Sequence, residues 1–444
     1  MRRTALPALL LASLAPGQDA PRPNVILLMA DDLGYGDLGC QGHPDLRTPE
    51  IDRMAAAGLR FTRFHAAAPV CSPTRGSCLT GRHPLRYGIR GANSGHLPAD
   101  ETTLQGLLKT QGYRTGHFGK WHLGTLTTEV VESNRGGPRG AEHFAPPWER
   151  GFDVCFSTEA KVPTYEPMRK PGTREPYGTH YWNERGEIVR EGLGEDDSRV
   201  IMDRVVPFVR DSVAEGVPFL AVVWFHTPHL PIEASRADKG MYARFDDETQ
   251  RYYGCITAMD RQVGRLRSVL GDLGVGDDTI LWFCSDNGPE GRAGQAPGSA
   301  GGLRGRKRSL YEGGTRVPGI LTWPRRIAAG GVTDVPAVTS DFLPTIAGWL
   351  ELELPDGLVL DGVDLGAVVA GEREERGRPI GFASRDQRAW IDGRWKLFGK
   401  GDAFELYDLV EDPAESNDLA ARYPERAAAM RRAMTDWADS LRPR

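Results

Sequence analysis

The chain has few cysteines for its length, and they are irregularly spaced. Among 444 residues there are six, at positions 40, 71, 78, 155, 255 and 284. Small domains that depend on disulfides are much richer in cysteine, and structural zinc sites use close pairs such as Cys-x-x-Cys, which this sequence lacks. A disulfide scaffold and a cysteine zinc site are therefore excluded, and Cys255 and Cys284, in apolar stretches, are expected to be core residues.

Long hydrophobic runs and an excess of basic residues are also absent. No segment reaches the ~18 consecutive apolar residues expected of a membrane-spanning helix. The 55 Lys and Arg residues are outnumbered by 60 Asp and Glu residues, so the formal charge is −5. A nucleic-acid-binding protein should have a basic surface and a high isoelectric point. We therefore expect no transmembrane segment in the mature protein and no nucleic-acid partner.

The first 20 residues have the layout of a secretory signal peptide. Residues 1–3 form a short positive segment, residues 5–14 form an apolar run, and small and polar residues follow up to Ala20. This order is typical of export signals, and the run is too short to span a membrane. The alternative is a disordered N-terminal tail. We favour export, so the protein is expected to be periplasmic or secreted.

Glycine and proline, by contrast, are abundant, with 54 and 32 residues. This content indicates much loop structure, where functional residues often lie. Apolar strands are predicted over residues 24–30, 113–118, 219–225 and 280–284. Helical patterns occur between them, for example over residues 102–109 and 247–273. The alternation predicts an α/β fold with a large, mostly parallel mixed sheet flanked by helices.

The pattern changes after about residue 372. Two aromatic runs flank Asp392-Gly393, which is a strong hairpin signal, and a strand at 404–407 and a helix at 424–441 follow. We therefore predict a signal peptide (1–20), a large α/β domain (21–372) and a small C-terminal α+β subdomain (373–444) with an antiparallel sheet and a terminal helix. Residues 125–200, which have weak periodicity, are expected to form long surface loops with small elements.

Four predicted strands end in polar residues capable of chemistry. Ligands bind at the carboxyl ends of strands in open α/β sheets, so these four strand ends indicate one shared crevice. The polar residues at the strand ends are Asp31-Asp32, Lys120 with His122, His226 with His229, and Asp286-Asn287. Three carboxylates and an amide oxygen suit Ca²⁺ or Mg²⁺ better than zinc. Taken singly, each acidic pair could also belong to a turn or a helix cap. His229 could have a structural role, and the side chain of Lys120 could simply be solvated.

The segment from Cys71 to Arg82 reads Cys-Ser-Pro-Thr-Arg-Gly-Ser-Cys-Leu-Thr-Gly-Arg. Pro73 suits an early helical position, which places Cys71 near a helix N-terminus, where a thiolate or a bound anion is favoured. Arg75 lies one turn further along the same face. The chemistry therefore allows a nucleophilic cysteine, and the alternative is a structural cysteine in an ordinary helix.

The Cys-x-Pro-x-Arg segment resembles the signature of the type I sulfatases, the formylglycine-dependent family of the alkaline phosphatase superfamily, which includes arylsulfatase A. Other segments resemble the family's motifs in the same order, from about residue 24 to 440; they are residues 24–36, 119–124, 226–229, 285–288, 307–318 and 406–413. The resemblance implies the alkaline phosphatase-like sulfatase fold. It also implies that a separate enzyme oxidises Cys71 to Cα-formylglycine.

The resemblance further implies a role for each matching residue. Asp31, Asp32, Asp286 and Asn287 would hold Ca²⁺ (or Mg²⁺), together with an oxygen of the hydrated aldehyde at position 71, which attacks sulfur. The remaining side chains would stabilise that group, bind the sulfuryl oxygens or transfer protons. Arg75 would steady the hydrated aldehyde; Lys120 and Lys307 would offset sulfuryl charge; His226, with Lys307, would protonate the leaving oxygen; His122 would take a proton as sulfate is eliminated; and His229 would shape the substrate pocket.

The function implied is release of sulfate from a sulfate ester, and for an exported enzyme a sulfated carbohydrate is the favoured substrate. Three alternatives remain open at this point. They are a phosphonate monoester hydrolase or phosphodiesterase of the same superfamily, a non-catalytic protein that binds sulfated glycans, and a thiol enzyme that uses Cys71 directly.

Overall fold

The computed structural model describes residues 22–132 and 135–441. The predicted signal peptide lies outside these residues. The strands are β1 Asn24–Ala30, β2 Leu59–Phe61, β3 Phe64–His65, β4 Arg114–Lys120, β5 Val154–Thr158, β6 Trp182–Asn183, β7 Phe219–Trp224, β8 Thr279–Ser285, β9 Gly319–Thr322, β10 Gly331–Thr333, β11 Ala337–Val338, β12 Ile380–Ser384, β13 Gln387–Asp392, β14 Trp395–Lys400 and β15 Ala403–Asp408. The α-helices are α1 Pro49–Ala56, α2 Cys71–Thr80, α3 Leu104–Thr110, α4 Asp197–Ala214, α5 Arg236–Gly240, α6 Asp247–Asp272, α7 Glu312–Thr315, α8 Phe342–Trp349, α9 Gly366–Val369 and α10 Pro424–Ser440.

The main sheet has nine strands in the order β10-β2-β9-β8-β1-β7-β4-β5-β6. Its five central strands, β8, β1, β7, β4 and β5, are mutually parallel, and β6 and β9 add antiparallel neighbours on either side. The predicted mostly parallel mixed sheet is therefore present. Because the central strands are parallel, the ends of β8, β1, β7, β4 and β5 all reach the same edge of the sheet.

Both faces of this sheet are covered, which explains the continuous apolar runs of its central strands. Along β1, Val25, Leu27 and Met29 enter one hydrophobic core, and Ile26 and Leu28 enter another on the opposite face. Helices α2, α3 and α8 contribute to the first core, and helices α1, α4 and α6 contribute to the second. This two-sided burial holds the strand ends in fixed positions.

The C-terminal unit is a four-stranded antiparallel sheet, β12-β13-β14-β15, covered by α10. One face of this sheet packs on the main body, with Phe382 and Phe398 in the same core as Leu310. The other face packs Leu397 and Leu406 against α10. The predicted hairpin, third strand and terminal helix are all present, and β12 is an addition that the pattern did not indicate.

The expectation of surface loops over residues 125–200 is only partly right. Strands β5 and β6 lie in this region and complete one side of the main sheet. Helix α4 begins at Asp197 and continues through Pro207 without interruption. Among the described residues, no helix is both long and apolar enough to cross a lipid bilayer.

Candidate active site

A cavity of about 400 Å³ opens at the carboxyl edge of the main sheet. Five residues predicted from the sequence line it: Cys71, Lys120, His122, His229 and Lys307. A larger cavity, about 810 Å³, lies between β13 and α10, and its lining includes none of the predicted residues. The convergence of residues that are far apart in the sequence makes the first cavity the candidate active site.

Cys71 is the first residue of α2 and is only 2% exposed. Its Sγ lies 3.6 Å from Oδ1 of Asp31. Burial raises the pKa of this thiol to about 12, and the nearby charges of Lys120 and Lys307 do not offset that effect. Burial thus favours the neutral thiol at Cys71, in opposition to the effect expected of the helix N-terminus.

Arg75 lies one turn after Cys71 and is completely buried. Its Nε and Nη2 donate to Oδ2 of Asp286 at 3.1 and 2.7 Å, and Nη1 donates to the backbone carbonyl of Lys120 at 3.0 Å. This pairing with a carboxylate and a strand end fixes α2 against the ends of β4 and β8. Arg75 thus holds the helix that presents Cys71.

Two lysines neutralise the carboxylates that follow β1. Lys120 Nζ lies 2.6 Å from Oδ2 of Asp31, and Lys307 Nζ lies 2.6 Å from Oδ1 of Asp32. Burial alone would raise the pKa of Asp32, but the charges of Lys307, His229 and Lys120 hold it below its usual range. Asp32 also has a positive φ of 68°, a conformation that costs energy for a residue other than glycine and is found preferentially at functional sites.

The residues present fit a divalent cation. Oxygen, nitrogen and sulfur atoms of Asp31, Asp32, Cys71 and His229 lie within 4.8 Å of one another. Asp286 adjoins them, because its Oδ1 accepts the backbone N–H of Asp32 at 3.1 Å.

The amide of Asn287 supports the same conclusion. Its Nδ2 donates to Asp32 at 2.6 Å, but its Oδ1 is buried and has no hydrogen-bond partner among the described residues. A buried acceptor without a partner is costly, and a hard cation would satisfy it.

His122 lines the cavity and is buried. Its Nε2 lies 2.7 Å from Oδ1 of Asn93, and its Nδ1 is buried without a partner among the described residues. Burial, together with the charges of Lys120 and Arg75, keeps the pKa of His122 well below 6.5. The imidazole is therefore neutral at neutral pH, and if Nε2 donates to Asn93, the lone pair is left on Nδ1.

The two histidines of the His-Thr-Pro-His segment have different environments. His226 is completely buried: its Nδ1 lies 2.8 Å from Asp197, and its Nε2 lies 2.8 Å from Oγ1 of Thr158. His229 lines the cavity, and its Nε2 lies 3.7 Å from Oδ2 of Asp32. The predicted proton donor, His226, thus has both ring nitrogens hydrogen-bonded and does not line the cavity, whereas His229 does.

Several lining residues were not predicted from the sequence. Asn93 adopts a positive φ of 59° in a loop, and no motif marks it. Lys161 follows β5, Ser384 is the last residue of β12, and Arg385 begins the turn between β12 and β13. The C-terminal unit therefore contributes directly to the cavity, which its separation in the sequence did not indicate.

Comparison with known proteins agrees with this geometry. The sulfatase family model matches residues 23–352. The chain belongs to the sulfatase family. It is 35% identical to arylsulfatase A of Bos taurus, over 95% of this chain and 83% of that protein. It is 34% identical to N-acetylgalactosamine-6-sulfatase of Mus musculus, over 80% of this chain and 67% of that protein.

The fold is also that of solved sulfatases. The structure of Ps i-CgsB in complex with k-i-k-neocarrahexaose superposes with a TM-score of 0.82 and 29% identity, covering 94% of this chain and 92% of that chain. The predicted sulfatase fold and the prediction of a sulfatase enzyme are confirmed.

Proposed function

We propose that this sulfatase releases sulfate from a sulfated carbohydrate, using Cα-formylglycine made from Cys71 by a separate modifying enzyme. The observation that carries the proposal is the setting of Cys71. Its thiol is buried beside Asp31 in the cavity that Lys120 and Lys307 also line, and burial raises its pKa to about 12, which makes it a poor thiolate nucleophile. A direct thiol mechanism is disfavoured for the same reason.

Formylglycine would supply a hydrated aldehyde, whose hydroxyl can act as the nucleophile and whose second hydroxyl allows the aldehyde to be regenerated. Asp31, Asp32, Asp286 and Asn287 would hold Ca²⁺, or Mg²⁺ in its place. When bound, this cation would supply a positive charge that lowers the pKa of nearby hydroxyl groups and polarises the sulfate.

The side chains of the site have matching roles. Lys120 and Lys307 would bind the sulfuryl oxygens, and Lys307 carries its proton at neutral pH because the surrounding carboxylates, Asp32 foremost, raise its pKa despite burial. His229, rather than His226, would with Lys307 protonate the leaving oxygen, since His229 lines the cavity. Its Nδ1 lies 2.6 Å from the carbonyl of Leu230, and burial lowers its pKa to about 3. It would therefore take up the proton on Nε2 only when the anionic substrate is bound, because that negative charge raises its pKa. His122 Nδ1 would accept the proton released as sulfate leaves.

A carbohydrate substrate is supported by the relatives' names. N-acetylgalactosamine-6-sulfatase is one of them, and the structure of Ps i-CgsB holds k-i-k-neocarrahexaose. The polar, open cavity of about 400 Å³ is compatible with a sugar ring. We also propose that residues 1–20 direct export to the periplasm or beyond, and that residues 21–372 and 373–444 are the catalytic domain and its C-terminal subdomain.

The test combines mass spectrometry with sulfate release. The peptide that contains Cys71 is examined for the lighter aldehyde residue, and the Ca²⁺-loaded protein is assayed on sulfated oligosaccharides, an aryl sulfate and an aryl phosphonate. Cys71→Ala should abolish sulfate release, whereas Cys255→Ala, at a buried cysteine of α6, should retain it. Faster phosphonate hydrolysis, or no sulfate release from modified protein, would refute the proposal.

A further inference from the structure

The cavity carries more positive charge than the scissile sulfate requires. Six cationic side chains line it, and one anionic side chain, that of Glu290, accompanies them. Three of the cations have carboxylate partners: Lys120 with Asp31, Lys307 with Asp32, and Arg308 with Glu290. The other three are Arg90, Lys161 and Arg385.

These three side chains have no hydrogen-bond or ion-pair partner within residues 22–132 and 135–441. Arg90 and Arg385 are exposed and Lys161 is half-buried, so all three are accessible to a ligand. They come from three segments that are far apart in the sequence. Unpaired cations converging around one opening, in a chain whose formal charge is −5, indicate a site for a second anion.

The backbone at Arg385 points the same way. Arg385 lies in the tight turn between β12 and β13 with a φ of 55°, where Gly or Asn would be favoured. The turn places a guanidinium, which binds sulfate and carboxylate groups through two parallel hydrogen bonds, at the mouth of the cavity.

A second cavity of about 440 Å³ adjoins the first. The two share Arg90, Ser384 and Arg385, and the second also contains Gln387 and Arg388. A ligand longer than one sugar unit could therefore extend past the shared arginines while its sulfate ester remains near Cys71.

We propose that Arg90, Lys161 and Arg385 bind a second anionic group of the substrate, so that the preferred substrate is a glycan with at least two negative charges. This inference rests on the proposed function for the identity of the reacting group. The second group is a sulfate ester or a carboxylate, since both have the charge and the geometry that arginine recognises.

The test compares substrates that differ only in the second charge. Wild type and the variants Arg385→Gln, Arg90→Gln and Lys161→Gln are assayed on disaccharides that carry one sulfate, two sulfates, or one sulfate and one carboxylate. We expect wild type to have a higher kcat/KM for the doubly charged substrates than for the singly charged one. Each arginine variant should lower the ratio of these two kcat/KM values by about tenfold, mainly because KM for the doubly charged substrate rises. The matched control is Arg432→Gln on α10, which should leave the ratio unchanged.

Salt provides a second readout, because the preference should shrink as the Debye length falls from ~10 Å at 0.1 M to ~3 Å at 1 M. Binding of the same disaccharides to Cys71→Ala protein, by calorimetry, tests the inference without turnover. If adding Arg385→Gln removes the affinity difference between singly and doubly charged ligands, the inference is supported whether or not sulfate is released. Absence of sulfate release would refute only the proposed function. An unchanged ratio in all three variants, or no affinity difference between singly and doubly charged ligands, would overturn it.

Discussion

Lys396 of the C-terminal sheet and Glu312 of the main body form a completely buried ion pair, with Nζ 2.8 Å from Oε1. Glu415 supplies a second carboxylate oxygen 2.8 Å from the same Nζ, and His65 lies 3.1 Å from the other oxygen of Glu312. Glu312 follows Lys307 by five residues, so this pair joins the C-terminal sheet to the segment that carries a lysine of the site.

Replacing Lys396 with Met should destabilise the protein strongly. The change leaves Glu312 and Glu415 buried and close together without their cation, and loss of one partner of a buried ion pair costs about 3–5 kcal/mol. Urea unfolding measures this loss. Lys400→Met, at the exposed end of the same strand, is the control and should change stability by less than about 0.5 kcal/mol. Equal effects of the two changes would contradict a stabilising role for the buried pair.

The two histidines of the His-Thr-Pro-His segment should behave differently on substitution. His229→Ala should lower kcat by about 10²–10⁴-fold, and the loss should be greater for a sugar sulfate than for an aryl sulfate, whose phenol leaves without protonation. His226→Ala should mainly reduce stability, because Asp197 loses a buried hydrogen-bond partner. Steady-state kinetics and thermal unfolding separate the two effects. A loss in His229→Ala that did not depend on the leaving group would argue against its role as proton donor.

Calcium should stabilise the protein and be required for activity. Ligand that binds only the folded state at a concentration 100-fold above Kd adds about 2.7 kcal/mol of stability. A chelator should abolish sulfate release, and added Ca²⁺ should restore it, with Mg²⁺ compared in parallel. Asn287→Ala should weaken the Ca²⁺-dependent shift in Tm, whereas Asn417→Ala, at an exposed asparagine, should not. A shift that is the same in both variants would place the cation elsewhere.

Glu132 should make stability fall as pH rises towards neutrality. Burial, which outweighs its hydrogen bonds from Trp182 and His180, raises the pKa of this carboxyl to about 7 from 4.5. The folded protein therefore binds the proton more tightly than the unfolded chain does, so stability is greatest below about pH 4.5 and is lost as pH rises to about 7, by about 3 kcal/mol.

Glu132→Gln removes this titration. The free energy of unfolding of each protein is measured from pH 4.5 to 8. As the pH rises, the variant should become more stable relative to wild type, because only wild type has a buried carboxyl that loses its proton. A difference that is constant with pH would contradict a raised pKa at Glu132.

Much of the site could be predicted because its residues follow buried parallel strands. The apolar run of β1 matches its predicted bounds, and Asp31, Asp286 and Lys120 lie at one sheet edge as their positions after apolar strands implied. The identity of the family was likewise contained in ordered local motifs. The apolar strands and the family motifs are both local patterns of contiguous residues.

The remainder depends on contacts between distant segments. Strands β2, β9 and β10 are only three or four residues long, too short for a clear period. The choice between His226 and His229 depends on Asp197 and Thr158, which come from other parts of the chain. Arg385 reaches the cavity only because the C-terminal sheet packs on the main body, a contact that no local pattern encodes.

The burial of Cys71 sets an order of events in the life of the protein. A side chain that is only 2% exposed is out of reach of a second enzyme once the chain has folded. Under the proposed function, oxidation of Cys71 must therefore precede folding. A molecule that folds first remains unmodified and inactive. The yield of active enzyme therefore depends on the rate of modification relative to the rate of folding during biosynthesis.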